Sequence, residues 1–223
     1  MSHLWLAALC LVLMCAFIVA EYREEWLKGV ILKGCASLCF ALLGFLGSAG
    51  AVDGRFAGFV CAGLATGAVA DVLLNLRYLH KRYGNLFFAC GTLVFLVGHA
   101  LYTVAVWPRA AAPLVFVAVG AVATFFIMRW IFSQIEAVGA LKLIGVFYVG
   151  IVVILNCLAL SALLARPGTQ QLVFLAGTLL FLVSDVILIL NTFGGDPQFK
   201  RRIVNLTLYY LGQILIALSL QLG

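Results

Sequence analysis

The chain has 223 residues, of which 65% are hydrophobic and only 10% are charged. Soluble domains carry about 25% charged residues, so this composition excludes a soluble globular protein and indicates an integral membrane protein.

Apolar runs recur along the whole chain, each about 20 residues long and able, as a helix, to cross a hydrocarbon core of roughly 30 Å. We predict eight membrane-spanning helices at residues 2–20, 29–47, 56–76, 84–106, 111–131, 140–164, 169–192 and 200–222. The joints between them are short and contain helix breakers, as in "WPRAAAP", "ARPGT" and "FGGDPQFKRR". The first run ends in "FIVAE", as a signal peptide can, but only His3 precedes it and a basic segment is missing, so we expect a retained span.

The net charge of +6 is distributed unevenly between the joints. The even-numbered joints and the helix ends beside them carry only three of the 14 basic residues: Arg55, Arg109 and Arg166. The odd-numbered joints and adjacent helix ends carry the others: Arg23, Lys28, Lys33, Arg77, Lys81, Arg82, Arg129, Lys142, Lys200, Arg201 and Arg202. This asymmetry predicts odd joints in the cytoplasm and both termini outside. The basic charge thus reports topology and attraction to anionic lipids, and we expect no nucleic-acid partner.

Seven cysteines raise the possibility of disulfides or a metal site, but all lie inside predicted spans and no C-x-x-C motif occurs. We therefore predict that they pack as small apolar side chains. The three histidines, His3, His80 and His99, lie too far apart in this topology to form a zinc site. We expect no metal and no other cofactor, with a carboxylate-bound Mg²⁺ left open. No G-x-S-x-G motif supports a serine nucleophile.

Residues 56–106 align with residues 170–220 without a gap. The alignment sets "AGLATGAVADVLLNL" over "AGTLLFLVSDVILIL" and places Asp71 opposite Asp185. Apolar matches mean little in hydrophobic spans, but intramembrane carboxylates are rare, so two in one register carry weight. Because the offset covers four spans, the halves have the same orientation. We predict one all-α transmembrane domain built as a parallel four-plus-four repeat, with halves at about 1–110 and 111–223.

Three ionisable side chains fall at one depth in the predicted bundle. Asp71 lies roughly 9 Å from the cytoplasmic end of its helix, and Asp185 lies roughly 9–12 Å inside the seventh span, at 1.5 Å per residue. Lys33 lies roughly 7–8 Å inside the second span by the same rise. With one lysine for two carboxyls, either one buried charge is unpaired or one carboxyl is protonated. Acid–base catalysis uses such an asymmetry.

Polar side chains accompany these groups at similar or greater depth. Asn75 follows Asp71 by one turn on the same helix face. The others in the predicted spans are His99, Tyr148, Tyr209, Tyr210 and Gln213. Interhelical hydrogen bonding is the alternative role for each of these taken singly, and Lys33 has the alternative role of only neutralising one aspartate.

Several short motifs carry a resemblance to a known family. They are "ILKGCASL" around Lys33, "ADVLL" around Asp71, "FLVGHALY" with His99 and Tyr102, "SDVILILNTF" with Asp185, and a last span with Tyr209, Tyr210, Gln213 and Ser219. In these motifs and their order the chain resembles the YhhN family of membrane proteins, whose characterised members are lysoplasmalogenases. The resemblance implies hydrolysis of the vinyl ether bond of lysoplasmalogens to a fatty aldehyde and a glycerophospho-headgroup.

That chemistry needs a proton delivered to carbon and a water that captures the resulting oxocarbenium ion, much as paired carboxyls act in glycosidases. We hypothesise that Asp71 and Asp185 are the catalytic pair and that Lys33 keeps one of them ionised; as a coupled unit they do not reveal which is the acid. The side chains expected to orient water and headgroup are Asn75, Tyr148, Tyr209, Tyr210 and Gln213. His99 and Tyr102 are expected to line a deeper cavity.

The expected partners are a lysophospholipid substrate, water and membrane lipids, while the oligomeric state stays open. A small proton-coupled transporter or flippase is the alternative, since intramembrane Asp and Lys in parallel repeats also suit transport. A structural or regulatory lipid-binding protein is a third reading. Because the joints are compact, we expect a bacterial cytoplasmic membrane.

Overall fold

A computed structural model of the protein describes residues 3–135 and 140–222. Within these residues, eight helices are long and apolar enough to cross a membrane, and no strand occurs. The helices are α1 (Leu4–Tyr22), α2 (Trp26–Gly47), α3 (Gly54–Leu79), α4 (Gly84–Val106), α5 (Pro113–Gln134), α6 (Ala140–Ala165), α7 (Thr169–Phe193) and α8 (Phe199–Ser219). The prediction of an all-α multi-pass membrane protein is confirmed. Residue 2, where the first predicted span begins, lies outside the described residues.

Local chemistry sets several helix ends. The Asp53 carboxylate accepts a hydrogen bond from the Phe56 backbone N–H at 3.0 Å and so caps the first turn of α3. Pro113 is the first residue of α5, where its missing N–H leaves no helical hydrogen bond unmade. Gly195, between α7 and α8, has φ of 87°, a left-handed conformation that glycine adopts without a steric penalty.

Glycines set the closest helix crossings, where α3 packs against α4 and α7 against α8. A Cβ placed on Gly98 would lie 3.3 Å from the carbonyl oxygen of Gly63, and one on Gly212 would lie 2.8 Å from that of Gly177. Small residues allow such close approach in membranes. The two crossings use positions that the sequence alignment pairs with each other. The four-plus-four repeat and the placement of both termini outside stay predictions, and the matching crossings accord with the repeat.

The bundle has apolar side chains on its outer surface and charged side chains inside, the reverse of the distribution in a soluble protein. Large apolar side chains such as Val12, Leu114 and Phe125 are 64%, 73% and 64% exposed on its outer surface. Lys33 and Asp71, in contrast, are only 3% and 1% exposed. Lipid tails solvate apolar side chains well, whereas charged groups in the membrane are stable only inside the bundle. The ionisable side chains are therefore gathered where helices meet.

Candidate active site

Asp71 in α3 has a full set of polar partners from two neighbouring helices. Lys33 in α2 places its Nζ 2.9 Å from Oδ1. The hydroxyls of Ser37 in α2 and Tyr209 in α8 each donate to Oδ2 at 2.5 Å. A cation and two hydroxyl donors together compensate a buried negative charge. Lys33 and Ser37 lie one turn apart on one face of α2, so the same helix face supplies both groups.

Asp185 in α7 has much sparser surroundings. The Tyr148 hydroxyl, from α6, donates to its Oδ2 at 2.7 Å. Oδ1 accepts no hydrogen bond, and no salt bridge reaches this carboxyl from any residue that the structure describes. The two carboxyl groups are both buried, yet among the described residues only Asp71 has a counter-ion.

A cavity of about 100 Å³, here called the inner cavity, has both carboxyl groups on its wall. This volume has room for several water molecules, at about 10–15 Å³ for each. Six of the ten predicted site residues line it: Lys33, Asp71, Asn75, Tyr148, Asp185 and Tyr209. Asn75 is 4% exposed, and its Oδ1 has no hydrogen-bond partner among the described residues. Buried polar atoms are normally satisfied, so this oxygen marks a place for a donor such as water or a ligand.

The other four predicted site residues form a packed layer beside the inner cavity and not its wall: His99, Tyr102, Tyr210 and Gln213. The Tyr102 hydroxyl donates to Gln213 Oε1 at 3.1 Å, and the Gln213 amide donates to the Tyr209 hydroxyl at 3.4 Å. His99 Nδ1 lies 2.8 Å from the Phe95 carbonyl oxygen, four residues earlier in α4. Gln213 and Tyr210 hydrogen-bond to partners of Asp71: Gln213 to Tyr209, and Tyr210 to Ser37 and to the Lys33 carbonyl oxygen. Direct substrate contact by the four residues stays a prediction.

Three features of the site did not emerge from the sequence. Ser37 lies four residues after Lys33, and that helical spacing was a usable signal for a shared face. Ser184, next to Asp185, exchanges hydrogen bonds with Asn205 of α8, whose Nδ2 donates to the Ser184 carbonyl at 2.8 Å. This link fixes the rotation of α7 against α8. The third feature is a pair of arginines, Arg77 and Arg202, on the wall of the inner cavity. The sequence interpretation used both only as signals of membrane topology.

Comparison with known proteins gives one result. A model of the YhhN family matches residues 5–220, nearly the whole chain. The chain belongs to the YhhN family. The resemblance based on the motifs is thereby confirmed, and every residue of the inner cavity lies within the matched range. Neither the curated proteins nor the solved structures contain a match to this chain.

Proposed function

We propose that this YhhN family member is a lysoplasmalogenase. It hydrolyses the vinyl ether bond of 1-alkenyl-glycerophosphoethanolamine or -choline to a fatty aldehyde and the glycerophospho-headgroup. The observation that carries the proposal is the unequal pair of buried carboxyls on one cavity. Asp71 has a lysine and two hydroxyl donors, whereas Asp185 has one hydroxyl donor and no cation among the described residues.

Asp185 is the proton donor in this proposal. An uncompensated carboxylate in a buried site is costly, so the neutral acid is the cheaper form there. Tyr148 donates to Oδ2, which leaves Oδ1 to carry the transferable proton. The proton goes to the vinyl carbon that is not bonded to the ether oxygen. The C=C π electrons form the new C–H bond, and the carbon bonded to oxygen becomes an oxocarbenium ion.

Asp71 supplies a fixed negative charge beside that cation, because Lys33, Ser37 and Tyr209 hold its carboxylate in place. Water adds to the oxocarbenium carbon and loses a proton to the Asp185 carboxylate, which regenerates the acid. The resulting hemiacetal breaks its C–O bond to the glycerol while Asp185 protonates the departing glycerol oxygen, and the hemiacetal hydroxyl gives its proton back to the Asp185 carboxylate, which yields the aldehyde and the headgroup alcohol. We assign to Asn75, whose Oδ1 has no hydrogen-bond partner among the described residues, the role of accepting a hydrogen bond from the attacking water.

Continuous helices favour this reading over the transporter. Membrane transporters commonly build their sites from discontinuous helices. Each of the eight helices runs without interruption through the described residues, and the prolines observed lie in joints or at a helix start, as Pro113 does. The observations therefore favour a reaction cavity within a bundle of continuous helices.

The deciding experiment measures fatty-aldehyde release by the purified protein. A lysoplasmalogen is compared with an acyl lysophospholipid of equal chain length, for the wild type and for Asp185→Asn. We expect aldehyde release from the vinyl ether alone. In the variant the rate should fall at least about 100-fold, which is the usual contribution of a general acid to catalysis. Asp53→Asn is the matched control, since Asp53 lies outside the cavity and asparagine also caps helices. Full turnover by a folded Asp185→Asn protein would refute the mechanism, and no aldehyde from the wild type would refute the function.

A further inference from the structure

A second cavity, of about 340 Å³, adjoins the inner cavity at the ends of α3, α7 and α8 and is here called the outer cavity. The two cavities share four wall residues: Arg77, Leu188, Thr192 and Arg202. On the predicted topology, the outer cavity lies at the cytoplasmic side. A ligand that approached the carboxyl groups through the outer cavity would meet two arginines, Arg77 and Arg202, which line both cavities.

Arg77 is a half-buried cation that has no counter-ion among the described residues. Its guanidinium lies 4.6 Å from the ring centre of Tyr78 and 5.2 Å from that of Phe88, and its Nη2 donates to the Tyr78 hydroxyl at 2.6 Å. Its buried Nε has no hydrogen-bond partner, and no carboxylate forms a salt bridge with it, in the part of the chain that the structure describes. The guanidinium thus lies close to two aromatic rings and keeps a donor, Nε, without a partner among the described residues, an arrangement that suits phosphate recognition.

Arg202 differs from Arg77 because it has a carboxylate partner, Glu21. Its Nε lies 2.9 Å from Glu21 Oε1, and its Nη1 donates to Asn205 Oδ1 at 3.2 Å. Glu21 therefore neutralises Arg202, just as Lys33 neutralises Asp71 deeper in the bundle. Arg77 has no such carboxylate partner among the described residues, and its positive charge matches the single negative charge of a phosphodiester.

We propose that Arg77, supported by Arg202, binds the phosphate of the lysophospholipid substrate in the passage between the two cavities. This inference rests on the proposed function. It assigns a binding site to the phosphate of the substrate, whereas the carboxyl pair acts on the vinyl ether bond. Arg77 follows Asp71 by six residues, roughly 9 Å along the axis of α3. The five bonds from the ether oxygen to phosphorus span roughly 6 Å at ordinary bond lengths, so the long arginine side chain bridges the difference.

The test compares two vinyl ether substrates, a 1-alkenyl-glycerophosphoethanolamine and the 1-alkenylglycerol that lacks phosphate. For Arg77→Gln we expect kcat/KM to fall on the order of 10- to 100-fold with the phosphate-bearing substrate, mainly through KM, because one charged hydrogen-bonding partner is lost. With 1-alkenylglycerol, which has no phosphate for Arg77 to bind, the same variant should lose much less kcat/KM, and a monodisperse size-exclusion peak shows that it is folded. Arg77→Lys keeps the charge and should lose less. Arg82→Gln, at an exposed arginine outside both cavities, is the matched control.

Binding of an alkyl ether lysophospholipid, which is not hydrolysed, separates this inference from the proposed function. Weaker binding by Arg77→Gln supports the phosphate site even if the wild type releases no aldehyde. Equal binding and equal kcat/KM in Arg77→Gln and the wild type would overturn the inference while the lysoplasmalogenase activity stood. Competition by glycerophosphoethanolamine that depends on Arg77 supports it as well. Diacyl phosphatidylethanolamine is the comparison. If it competed as well as glycerophosphoethanolamine, and if its competition also depended on Arg77, the site would bind a bulk membrane lipid and the assignment to substrate would be overturned.

Discussion

Replacement of Lys33 by methionine removes the cation that is bonded to the buried Asp71 carboxylate. The two side chains are 4% and 2% exposed, and their charged atoms lie 2.9 Å apart. Removal of one partner from a buried ion pair costs about 3–5 kcal/mol, because the other charge is left in a medium of low dielectric constant. Ser37 and Tyr209 still donate to Asp71, so we expect a loss at the lower end, about 3 kcal/mol in the free energy of unfolding.

The free energy of unfolding is measured by titrating the protein with a denaturing detergent in mixed micelles. Lys28→Met is the matched control on the same helix. The Lys28 side chain is 68% exposed, and its ion pair with Glu25 is a surface pair at 3.0 Å, which is worth less than about 1 kcal/mol. The double variant Lys33→Met with Asp71→Asn removes both buried charges and should recover most of the loss, because no uncompensated charge remains.

Two outcomes would refute this reasoning. Equal losses in Lys33→Met and Lys28→Met would show that burial of the pair has no special energetic effect. A double variant that is no more stable than Lys33→Met would show that the loss came from packing of the lysine side chain and not from its charge.

Gly212→Ala should lower the free energy of unfolding by about 1–3 kcal/mol, because the added Cβ would lie 2.8 Å from the Gly177 carbonyl oxygen. Gly58→Ala is the control, since a Cβ there has no neighbour within 4 Å. Equal losses of stability in the two variants would contradict the prediction. Asp53 has a pKa lowered from 3.8 by the hydrogen bond from a backbone N–H in the first turn of α3 and by Arg109. A lowered pKa stabilises the fold above the unfolded-state value, and this contribution is lost as the pH falls through the folded-state value. Asp53→Ala should therefore lower Tm at neutral pH, and the Tm of the variant should approach that of the wild type well below pH 3.8. A difference in Tm that persists at such low pH would argue against this prediction.

The sequence by itself predicted the helices, which the structure confirms, and a common depth for the ionisable groups, which stays a prediction. In lipid every backbone polar group needs a partner within its own segment, so a long apolar run translates directly into a spanning helix. The fixed rise of the helix then converts residue number into depth, which placed Lys33, Asp71 and Asp185 at one level. The axial position of a side chain is a property of one helix, and one helix can be derived from its own residues.

The tertiary structure decided which side chains meet at that depth. Lys33 pairs with Asp71 and not with Asp185 because α2 packs beside α3, which no spacing along the chain encodes. His99 and Gln213 lie at a plausible depth but beside the cavity, since the rotation of α4 and α8 about their axes is set by contacts at the glycine crossings. Rotation and neighbour choice depend on side-chain packing between helices distant in sequence, and for that physical reason only the assembled bundle fixes them.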